Sequence, residues 1–304
     1  MHIDSIFNKL AHKIDRSRLI IDAPMKEYTS FRAGGKAALL VVPENIETLI
    51  FALQTLAAAE TPYFIMGNGT NLLVKDGGYS GVIVKIGENL AHITVKDQRI
   101  TAEAGALLSV LSKKALEHSL TGLEFASGIP GSVGGGVFMN AGAYDGEIKQ
   151  VVERVQVISR NGEKQYSLTG EEMKYGYRES ILMNRGDLVL SAVFKLNYGE
   201  EKDIASRMKE LTDRRNRKQP LQFPSAGSFF KRPPGTFAGK LIQDANLKGV
   251  SIGGARVSPL HAGFIINEGG ATASDIIKLM QKVQTMVYHH SGIWLEPEVR
   301  IIGE

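Results

Sequence analysis

Cysteine is absent from this chain of 304 residues. Its absence excludes disulfides, thiolate metal sites, iron–sulfur clusters and cysteine nucleophiles. The seven histidines show no spacing typical of a metal site, so we expect no metal ion. No stretch reaches the roughly 18 uncharged apolar residues needed to cross a bilayer. Residues 1–16 mix charge with apolar residues at helical spacing, unlike a signal peptide. We therefore expect a cytoplasmic protein with no membrane partner.

Positive charge is only slightly in excess. The formal net charge is +4 and the sequence pI is near 9.0. Nucleic-acid binding usually depends on a concentrated basic surface, which this mild excess does not indicate. A site for an anionic small molecule accounts for the charge equally well, so we expect no nucleic-acid partner.

Glycine, by contrast, is abundant and clustered. The chain has 33 glycines, about 11% against a usual figure near 7%. A strand predicted at residues 63–66 runs directly into the sequence GNGTN, which we call the first glycine loop (residues 67–71). The loop lacks the third glycine of the dinucleotide-binding fingerprint, and Asp76-Gly77-Gly78 leaves no room for the helix that should follow. Two interpretations stay open: a phosphate cradle built from turns, or a tight strand-to-strand turn.

A second glycine loop covers residues 128–136, with the sequence GIPGSVGGG. Its glycines and proline predict neither helix nor strand interior. Such a backbone would let a large planar ligand approach closely, and residues 140–144 continue the small-residue surface. Two separated loops favour a ligand that carries both a pyrophosphate and a ring system.

Elsewhere the pattern indicates an α+β protein. Residues 46–57 have the apolar spacing of a helix, and Asn161-Gly162 predicts a hairpin between strands at 151–159 and 164–168. We also predict a charged helix at 200–218 and a final strand at 294–302.

Five motifs in order carry a family resemblance. GNGTNLLV (67–74) and GIPGSVGGGVFMNAGAY (128–144) resemble an FAD-binding domain of the vanillyl-alcohol-oxidase type. YGYRES (175–180), GSFFK (227–231) and LEPEVR (295–300) narrow the resemblance to the UDP-N-acetylenolpyruvoylglucosamine reductase family. The chain has no room for the tyrosine-bearing insertion of the longer members, so it resembles the shorter, type II form. Arg232 after GSFFK departs from the longer type, which carries asparagine there.

The resemblance implies a two-lobed FAD-binding domain plus a smaller α+β substrate-binding domain. We expect FAD-binding lobes at residues 1–85 and 86–205. The substrate-binding domain is expected at 206–292, with a C-terminal strand at 293–304 returning to the flavin lobe.

It also implies an enzyme of peptidoglycan precursor synthesis, and hence of cell wall biogenesis, cell shape and division. Such an enzyme binds FAD non-covalently, takes its electrons from NADPH and reduces the enolpyruvyl double bond of UDP-N-acetylglucosamine enolpyruvate to give UDP-N-acetylmuramate. Its partner is this small sugar nucleotide, and we expect a monomer.

Three catalytic residues follow from the motif positions. Arg178 matches the arginine that stabilises enolate-like charge, and Ser228 matches the proton donor. Because serine is a poor acid, it needs positive charge nearby, for which Lys231 and Lys240 are candidates. Glu298 matches a glutamate that assists protonation, a role that requires a raised pKa if it acts protonated. Taken singly, these three residues have ordinary alternatives in a surface ion pair, a turn hydroxyl and a solvent-facing carboxylate.

The remaining expectations come from motif position alone. The expected cofactor-binding residues are Gly67, Asn68, Gly69, Thr70, Asn71, Gly128, Ile129, Pro130, Gly131, Ser132, Gly134, Gly135, Asn140 and Ala141. The expected substrate-binding residues are Tyr175, Lys218, His261 and Arg300.

Two other functions stay open. One is an oxidase on the same flavin fold, although the chain has no cysteine and neither loop has a histidine that would tether the flavin covalently. The other is a sugar-nucleotide binding protein without catalysis, which predicts that one of the three catalytic residues is missing. All three are present.

Overall fold

The computed structural model describes residues 3–304. The helices are α1 Ile3–Leu10, α2 Ile46–Ala58, α3 Leu108–Glu117, α4 Val133–Phe138, α5 Leu182–Arg185, α6 Glu201–Lys218, α7 Ala238–Asp244 and α8 Ala273–Ser291. The first nine strands are β1 Leu19–Pro24, β2 Lys36–Val41, β3 Tyr63–Met66, β4 Leu72–Val74, β5 Tyr79–Lys85, β6 Ile93–Lys96, β7 Arg99–Glu103, β8 Leu120–Thr121 and β9 Gly142–Ala143. The other nine are β10 Gly146–Glu147, β11 Val152–Ile158, β12 Gln165–Thr169, β13 Leu188–Lys195, β14 Asn197–Tyr198, β15 Ser251–Ile252, β16 Ala255–Val257, β17 Ile265–Asn267 and β18 Arg300–Ile302. No helix among these is both long and apolar enough to span a membrane.

The chain divides into two compact units. Of the described residues, unit 1 contains 3–21, 39–68 and 81–215, and unit 2 contains 22–38, 69–80 and 216–304. Each unit has its own hydrophobic core. The predicted four-part division into lobes and domains stays a prediction.

Unit 1 is built around a five-stranded antiparallel sheet of order β12-β11-β13-β7-β6. The predicted hairpin at Asn161-Gly162 is confirmed, since β11 and β12 pair antiparallel with Ile158 opposite Gln165. Helix α2 is confirmed as well: Asn45 and Thr48 form a capping box, and its apolar face is buried. A further sheet has the order β1-β2-β5-β3, in which β3 and β5 are parallel.

Unit 2 contains the three-stranded antiparallel sheet β15-β16-β17 and the long helix α8. Thr272 and Asp275 cap the N-terminus of α8, where Asp76 also accepts from the N–H groups of Ala273 and Ser274 at 2.8 and 2.7 Å. The aromatic centre of this core is Phe229, fully buried, with the ring of Phe31 packed edge-on at 6.1 Å.

The last strand is much shorter than predicted. Only Arg300–Ile302 forms a strand, and it pairs in parallel with β4, directly after the first glycine loop. Pro297 lies within the predicted strand and has no N–H to donate to a ladder. It makes a single bridge to Phe230 instead, so the segment is extended but not a continuous strand.

The prediction that the second glycine loop contains no helix is wrong. Helix α4 spans Val133–Phe138, and Ser132 caps it by accepting from the Gly135 N–H. Each glycine in a helix interior costs up to about 1 kcal/mol relative to alanine. Burial of Val133 and Val137 offsets this cost, so tertiary packing decides the conformation.

Candidate active site

Arg178 sits on a tight turn in unit 1, which we call the arginine turn (residues 176–179). Gly176 and Glu179 close it, with the Gly176 N–H donating to the Glu179 carbonyl at 3.1 Å. Arg178 has φ +55°, in the left-handed region that side chains avoid at a cost of roughly 1–2 kcal/mol. Its guanidinium donates to the Gly142 carbonyl at 3.0 Å. The fold therefore holds Arg178 in a costly conformation, and such conformations cluster at functional sites.

Of the two tyrosines in this motif, Tyr177 is the one exposed beside Arg178. Its ring is half exposed, and the Arg178 guanidinium lies 5.1 Å from the ring centroid. The hydroxyl of Tyr175 is buried without a hydrogen-bond partner among the described residues, and this burial raises the pKa of Tyr175. Tyr175 stays a predicted substrate-binding residue, and the exposed Tyr177 is a further candidate, for which its position next to Arg178 was the available signal in the sequence.

The two glycine loops approach each other within unit 1. The Asn68 side-chain amide donates to the Pro130 carbonyl at 2.7 Å, and a Cβ placed on Gly67 would overlap Ser132 Oγ. A side chain at residue 67 would displace the Ser132 hydroxyl that caps α4, so glycine lets the first loop lie against this cap.

The glycines of α4 have two different roles. A Cβ on Gly134 would lie 2.8 Å from Ala104 Cβ, and one on Gly136 would lie 2.9 Å from Leu108. These two glycines permit close packing inside unit 1. Gly135 is exposed, and a Cβ there would meet nothing closer than Ser132 Oγ at 3.5 Å. Gly135 is therefore the glycine of α4 that faces outward.

Donor groups near these loops fit a phosphate-containing cofactor. Within residues 3–304, the backbone N–H groups of Gly67, Asn68 and Gly131 have no hydrogen-bond acceptor. Orphan N–H groups and the outward-facing Gly135 match what FAD requires, namely donors for phosphate oxygens and a close approach of the backbone. The residues present in unit 1 therefore fit the cofactor.

Asn140 and Ala141 are less open to a ligand than expected. Asn140 is fully buried, and its side-chain amide makes three hydrogen bonds inside unit 1. Ala141 is 8% exposed, and its N–H donates to the Gly136 carbonyl at 2.8 Å. The Asn140 side chain thus serves the protein interior, and only its backbone stays a candidate for cofactor contact.

Arg215, near the end of α6, is a further candidate residue that the sequence analysis did not single out. Its aliphatic stem packs on Gly128, where a Cβ would lie 2.9 Å from Arg215 Cδ. Burial lowers the pKa of Arg215, and no carboxylate among residues 3–304 pairs with it. A desolvated cation without a counter-ion is costly, which points to an anionic ligand group. The run RRNRK at 214–218 has the composition of a solvated helix face, so the sequence holds no signal that separates this residue from its neighbours.

Unit 2 brings Ser228 and Glu298 onto neighbouring segments. The Phe229 N–H donates to the Gly263 carbonyl and the Glu298 N–H donates to the Phe229 carbonyl, both at 2.8 Å. Phe229, which follows Ser228 and is hydrogen-bonded to Glu298, is buried, whereas Ser228 is exposed. Burying a phenylalanine side chain contributes about 1.5–3 kcal/mol, so Phe229 anchors the exposed hydroxyl beside it.

The first glycine loop also supports Glu298. The Asn71 amide donates to the Glu298 carbonyl at 3.1 Å, and the Arg300 N–H donates to the Asn71 carbonyl at 3.1 Å. Asn71 was expected to contact the cofactor, and the structure adds this second role. Gly69 and Thr70 of this loop belong to the same unit, and Gly69 has φ +66°, a left-handed conformation that favours glycine.

The two lysines suggested as helpers of Ser228 pair with carboxylates instead. Lys231 pairs with Glu296 at 3.2 Å, and Lys240 pairs with Asp244 on α7. Arg232, at the position where the longer type carries asparagine, stacks on Phe237 with the guanidinium 4.0 Å from the ring centroid. The structure therefore gives neither lysine to Ser228.

His261 and Lys218, two of the expected substrate-binding residues, lie near each other in unit 2. His261 Nδ1 accepts from the Gly263 N–H at 3.1 Å, which leaves Nε2 to carry the proton of the neutral ring. Burial lowers the pKa of His261, and the nearby positive charges of Lys248 and Lys218 lower it further. A neutral histidine donor beside a lysine is suited to phosphate oxygens. Arg300 belongs to strand β18 of the same unit. Within the described part of the chain, no three acidic or histidine side chains gather as a metal site.

Comparison with known proteins identifies the family. Residues 219–302 match the UDP-N-acetylenolpyruvoylglucosamine reductase C-terminal domain, and residues 37–165 match the FAD binding domain. A UDP-N-acetylenolpyruvoylglucosamine reductase from Clostridium perfringens (strain SM101) is 52% identical over 94% of this chain and 93% of its own. The protein of that name from Clostridioides difficile (strain 630) is 45% identical over the full length of both chains.

A solved structure agrees. The UDP-N-acetylenolpyruvylglucosamine reductase of Thermus caldophilus has a TM-score of 0.80 at 35% identity, covering 94% of this chain and 98% of that one. The predicted fold class, α+β with an FAD-binding domain of the vanillyl-alcohol-oxidase type, is confirmed. The chain therefore belongs to the UDP-N-acetylenolpyruvoylglucosamine reductase family and is an FAD-containing oxidoreductase.

Proposed function

We propose that the protein uses NADPH to reduce UDP-N-acetylglucosamine enolpyruvate to UDP-N-acetylmuramate in peptidoglycan precursor synthesis. The observation that carries this proposal is the arginine turn, which holds Arg178 at φ +55° beside an exposed Tyr177. Family membership supports the substrate. The cytoplasmic location and the monomeric state stay predictions.

FAD, when bound, supplies the hydride chemistry that no side chain of this protein can perform. We infer that the open N–H groups of Gly67, Asn68 and Gly131 bind its phosphates, together with Gly69, Thr70 and Asn71. The second glycine loop, from Gly128 through Ile129, Pro130, Ser132 and Gly135, would lie along the ring system.

Three side chains act on the substrate in this proposal. Arg178 stabilises negative charge that develops on the enolpyruvyl carboxylate, because a planar guanidinium can bind both of its oxygens. Ser228 gives its proton to the carbon next to the carboxylate, and Glu298 assists that transfer. Lys218, His261 and Arg300 bind the diphosphate of the sugar nucleotide. Tyr175 and the exposed Tyr177 beside Arg178 are further candidates for contact with the substrate.

The two half-reactions test the proposal. Purified protein is expected to be yellow and to release FAD on denaturation. NADPH should bleach the flavin absorbance anaerobically, and UDP-N-acetylglucosamine enolpyruvate should restore it far faster than O₂ does. A flavin that O₂ reoxidises faster would support an oxidase, and a protein that cannot be reconstituted with FAD would contradict the proposal outright.

Arg215 offers a separate prediction about the cofactor. We propose that its unpaired guanidinium faces an anionic part of bound FAD and favours the reduced, more negative state. Replacing Arg215 by methionine keeps most of the volume and removes the charge. The equilibrium constant for flavin reduction should fall about tenfold, equivalent to about 30 mV in the two-electron midpoint potential.

Spectroelectrochemical titration measures this shift, and Arg214→Met is the matched control. Arg214 is the preceding residue on α6, exposed, with its guanidinium 4.8 Å from the Tyr144 ring centroid. If Arg215→Met instead weakens FAD binding about tenfold with an unchanged potential, the cation faces the pyrophosphate. Unchanged affinity and unchanged potential together would show that Arg215 faces no part of FAD.

A further inference from the structure

Asn140 occupies a position in the backbone that usually belongs to glycine. Helix α4 ends in a Schellman motif: the Ala141 N–H donates to the Gly136 carbonyl at 2.8 Å, and the Asn140 N–H donates to the Val137 carbonyl at 3.5 Å. Asn140 is the left-handed residue of this motif, with φ +50°. Glycine adopts that conformation without steric cost, so the asparagine side chain needs its own explanation.

Both polar atoms of that side chain are hydrogen-bonded. Its Nδ2 donates to Glu147 Oε2 at 2.7 Å and to the Gly176 carbonyl at 2.9 Å. Its Oδ1 accepts from the Lys149 N–H at 2.9 Å. With the side chain fully buried, both amide hydrogens and the carbonyl oxygen are satisfied. No other side chain of this size supplies two donors and one acceptor.

Two of these bonds lead to Arg178 by different routes. The first reaches the Gly176 carbonyl, at the start of the arginine turn. The second reaches Glu147, which pairs with Gly142 in the β10–β9 hairpin, and the Gly142 carbonyl accepts from the Arg178 guanidinium. Asn140 thereby holds both the backbone that presents Arg178 and the carbonyl that orients its side chain.

A further bond ties the other end of the turn to α4. The Ser180 hydroxyl donates to the Phe138 carbonyl at 2.5 Å, at the last residue of the helix. Both ends of the arginine turn are therefore fastened to the C-terminal end of the same short helix. This helix begins at Ser132, in the second glycine loop.

We propose that Asn140 is a positioning residue that holds Arg178 in its working orientation and links the arginine turn to the second glycine loop. The inference rests on the proposed function, because it assumes that Arg178 acts on the substrate. It differs from the expectation that Asn140 contacts the cofactor, since every polar atom of the side chain is turned to the protein.

Asn140→Gly separates the side chain from the backbone. Glycine keeps the left-handed conformation and removes all three side-chain bonds. Misplacing a catalytic group by a fraction of an ångström lowers the rate, and we expect reoxidation of the flavin by the enolpyruvyl substrate to fall about tenfold. Reduction of the flavin by NADPH should stay within about twofold, because the charge that Arg178 is proposed to stabilise develops only in the reoxidation step.

Asn246→Gly is a closely matched control. Asn246 is the left-handed residue of a second Schellman motif, at the end of α7, with φ +58°. It is exposed, and its side chain makes no hydrogen bond within residues 3–304. The same substitution there should change neither half-reaction by more than about twofold.

A double-mutant cycle distinguishes positioning from a general structural role. In an Arg178→Met background, Asn140→Gly should change the residual reoxidation rate by less than about twofold, because its target is gone. An equal loss in both backgrounds would overturn the inference. If Asn140→Gly does not fold, Ser180→Ala cuts the other attachment of the turn and is expected to show the same dependence on Arg178.

Amide hydrogen exchange tests the same idea without turnover. In Asn140→Gly the Gly176 N–H, which donates to the Glu179 carbonyl, should exchange about tenfold faster than in wild type and in Asn246→Gly. Unchanged exchange would mean that Asn140 does not hold the turn. This measurement needs no substrate, so it tests the inference independently of the proposed function. A wild-type enzyme that fails to reduce the enolpyruvyl compound would refute the proposed function, whereas the exchange rate of the Gly176 N–H would still show whether Asn140 holds the turn.

Discussion

Replacing Ser228 by alanine is expected to slow reoxidation of the flavin by the enolpyruvyl substrate by about a thousandfold, within the range typical of a lost general acid. Reduction of the flavin by NADPH is expected to stay within about twofold of wild type, because no proton is delivered to a substrate carbon in that step. Stopped-flow absorbance measures the two half-reactions separately on the same holoenzyme.

The structure supports the selectivity of this effect. Ser228 is exposed, and its backbone is held by the buried Phe229, whose N–H and carbonyl each make a 2.8 Å hydrogen bond. Removing one hydroxyl therefore leaves the anchoring of the segment intact. Ser251→Ala, at an exposed position of β15 in the same unit, is the control and should leave both steps unchanged. Equal losses in both half-reactions of Ser228→Ala would show that Ser228 is not the proton donor.

Replacing Arg178 by methionine is expected to lower the reoxidation rate by a factor of about 10² to 10³, the usual loss when a group that stabilises developing charge is removed. Arg178→Lys should fall between methionine and wild type, because lysine retains the charge but lacks the planar fork that binds a carboxylate through two parallel bonds. Single-turnover reoxidation measures both variants.

Lys174→Met is the matched control for this pair. Lys174 is also a cationic residue in the left-handed region, with φ +46°, exposed and four residues before Arg178. Its loss should leave reoxidation within about twofold. If Arg178→Lys were fully active, a point charge would suffice and the geometric part of the argument would fail. If Arg178→Met were fully active, Arg178 would have no role in charge stabilisation.

Local patterns predicted much of the secondary structure correctly. Residues 46–57 form a helix because their apolar spacing and the Asn45 cap agree, and the burial seen in the structure reinforces both. Strand β3 and the hairpin at Asn161-Gly162 follow from short-range rules in the same way. The family, the fold class and the flavin cofactor could also be inferred from five motifs, since each motif is local and their order is unambiguous.

Local rules failed where packing competes with propensity. The glycines of α4 would not form a helix on their own, but buried valines and contacts with Ala104 and Leu108 stabilise it. The strand predicted at 294–302 was also too long, because it ran through Pro297, which forms only a single bridge. The helix error arose because the partners that stabilise α4 lie far away in the sequence, whereas the strand error arose from a local feature, the missing N–H of Pro297.

The same distinction between local pattern and tertiary contact applies to the candidate site. By itself the sequence determined which chemical groups the protein possesses: Arg178, Ser228 and Glu298, two glycine loops and no cysteine. Only the tertiary structure decided what each group faces. It paired Lys231 and Lys240 with carboxylates, left Arg215 desolvated and unpaired among the described residues, and turned the Asn140 amide inward toward the arginine turn. The reason is physical: burial, counter-ions and hydrogen-bond partners come from contacts between distant segments, which residue types and spacing do not specify.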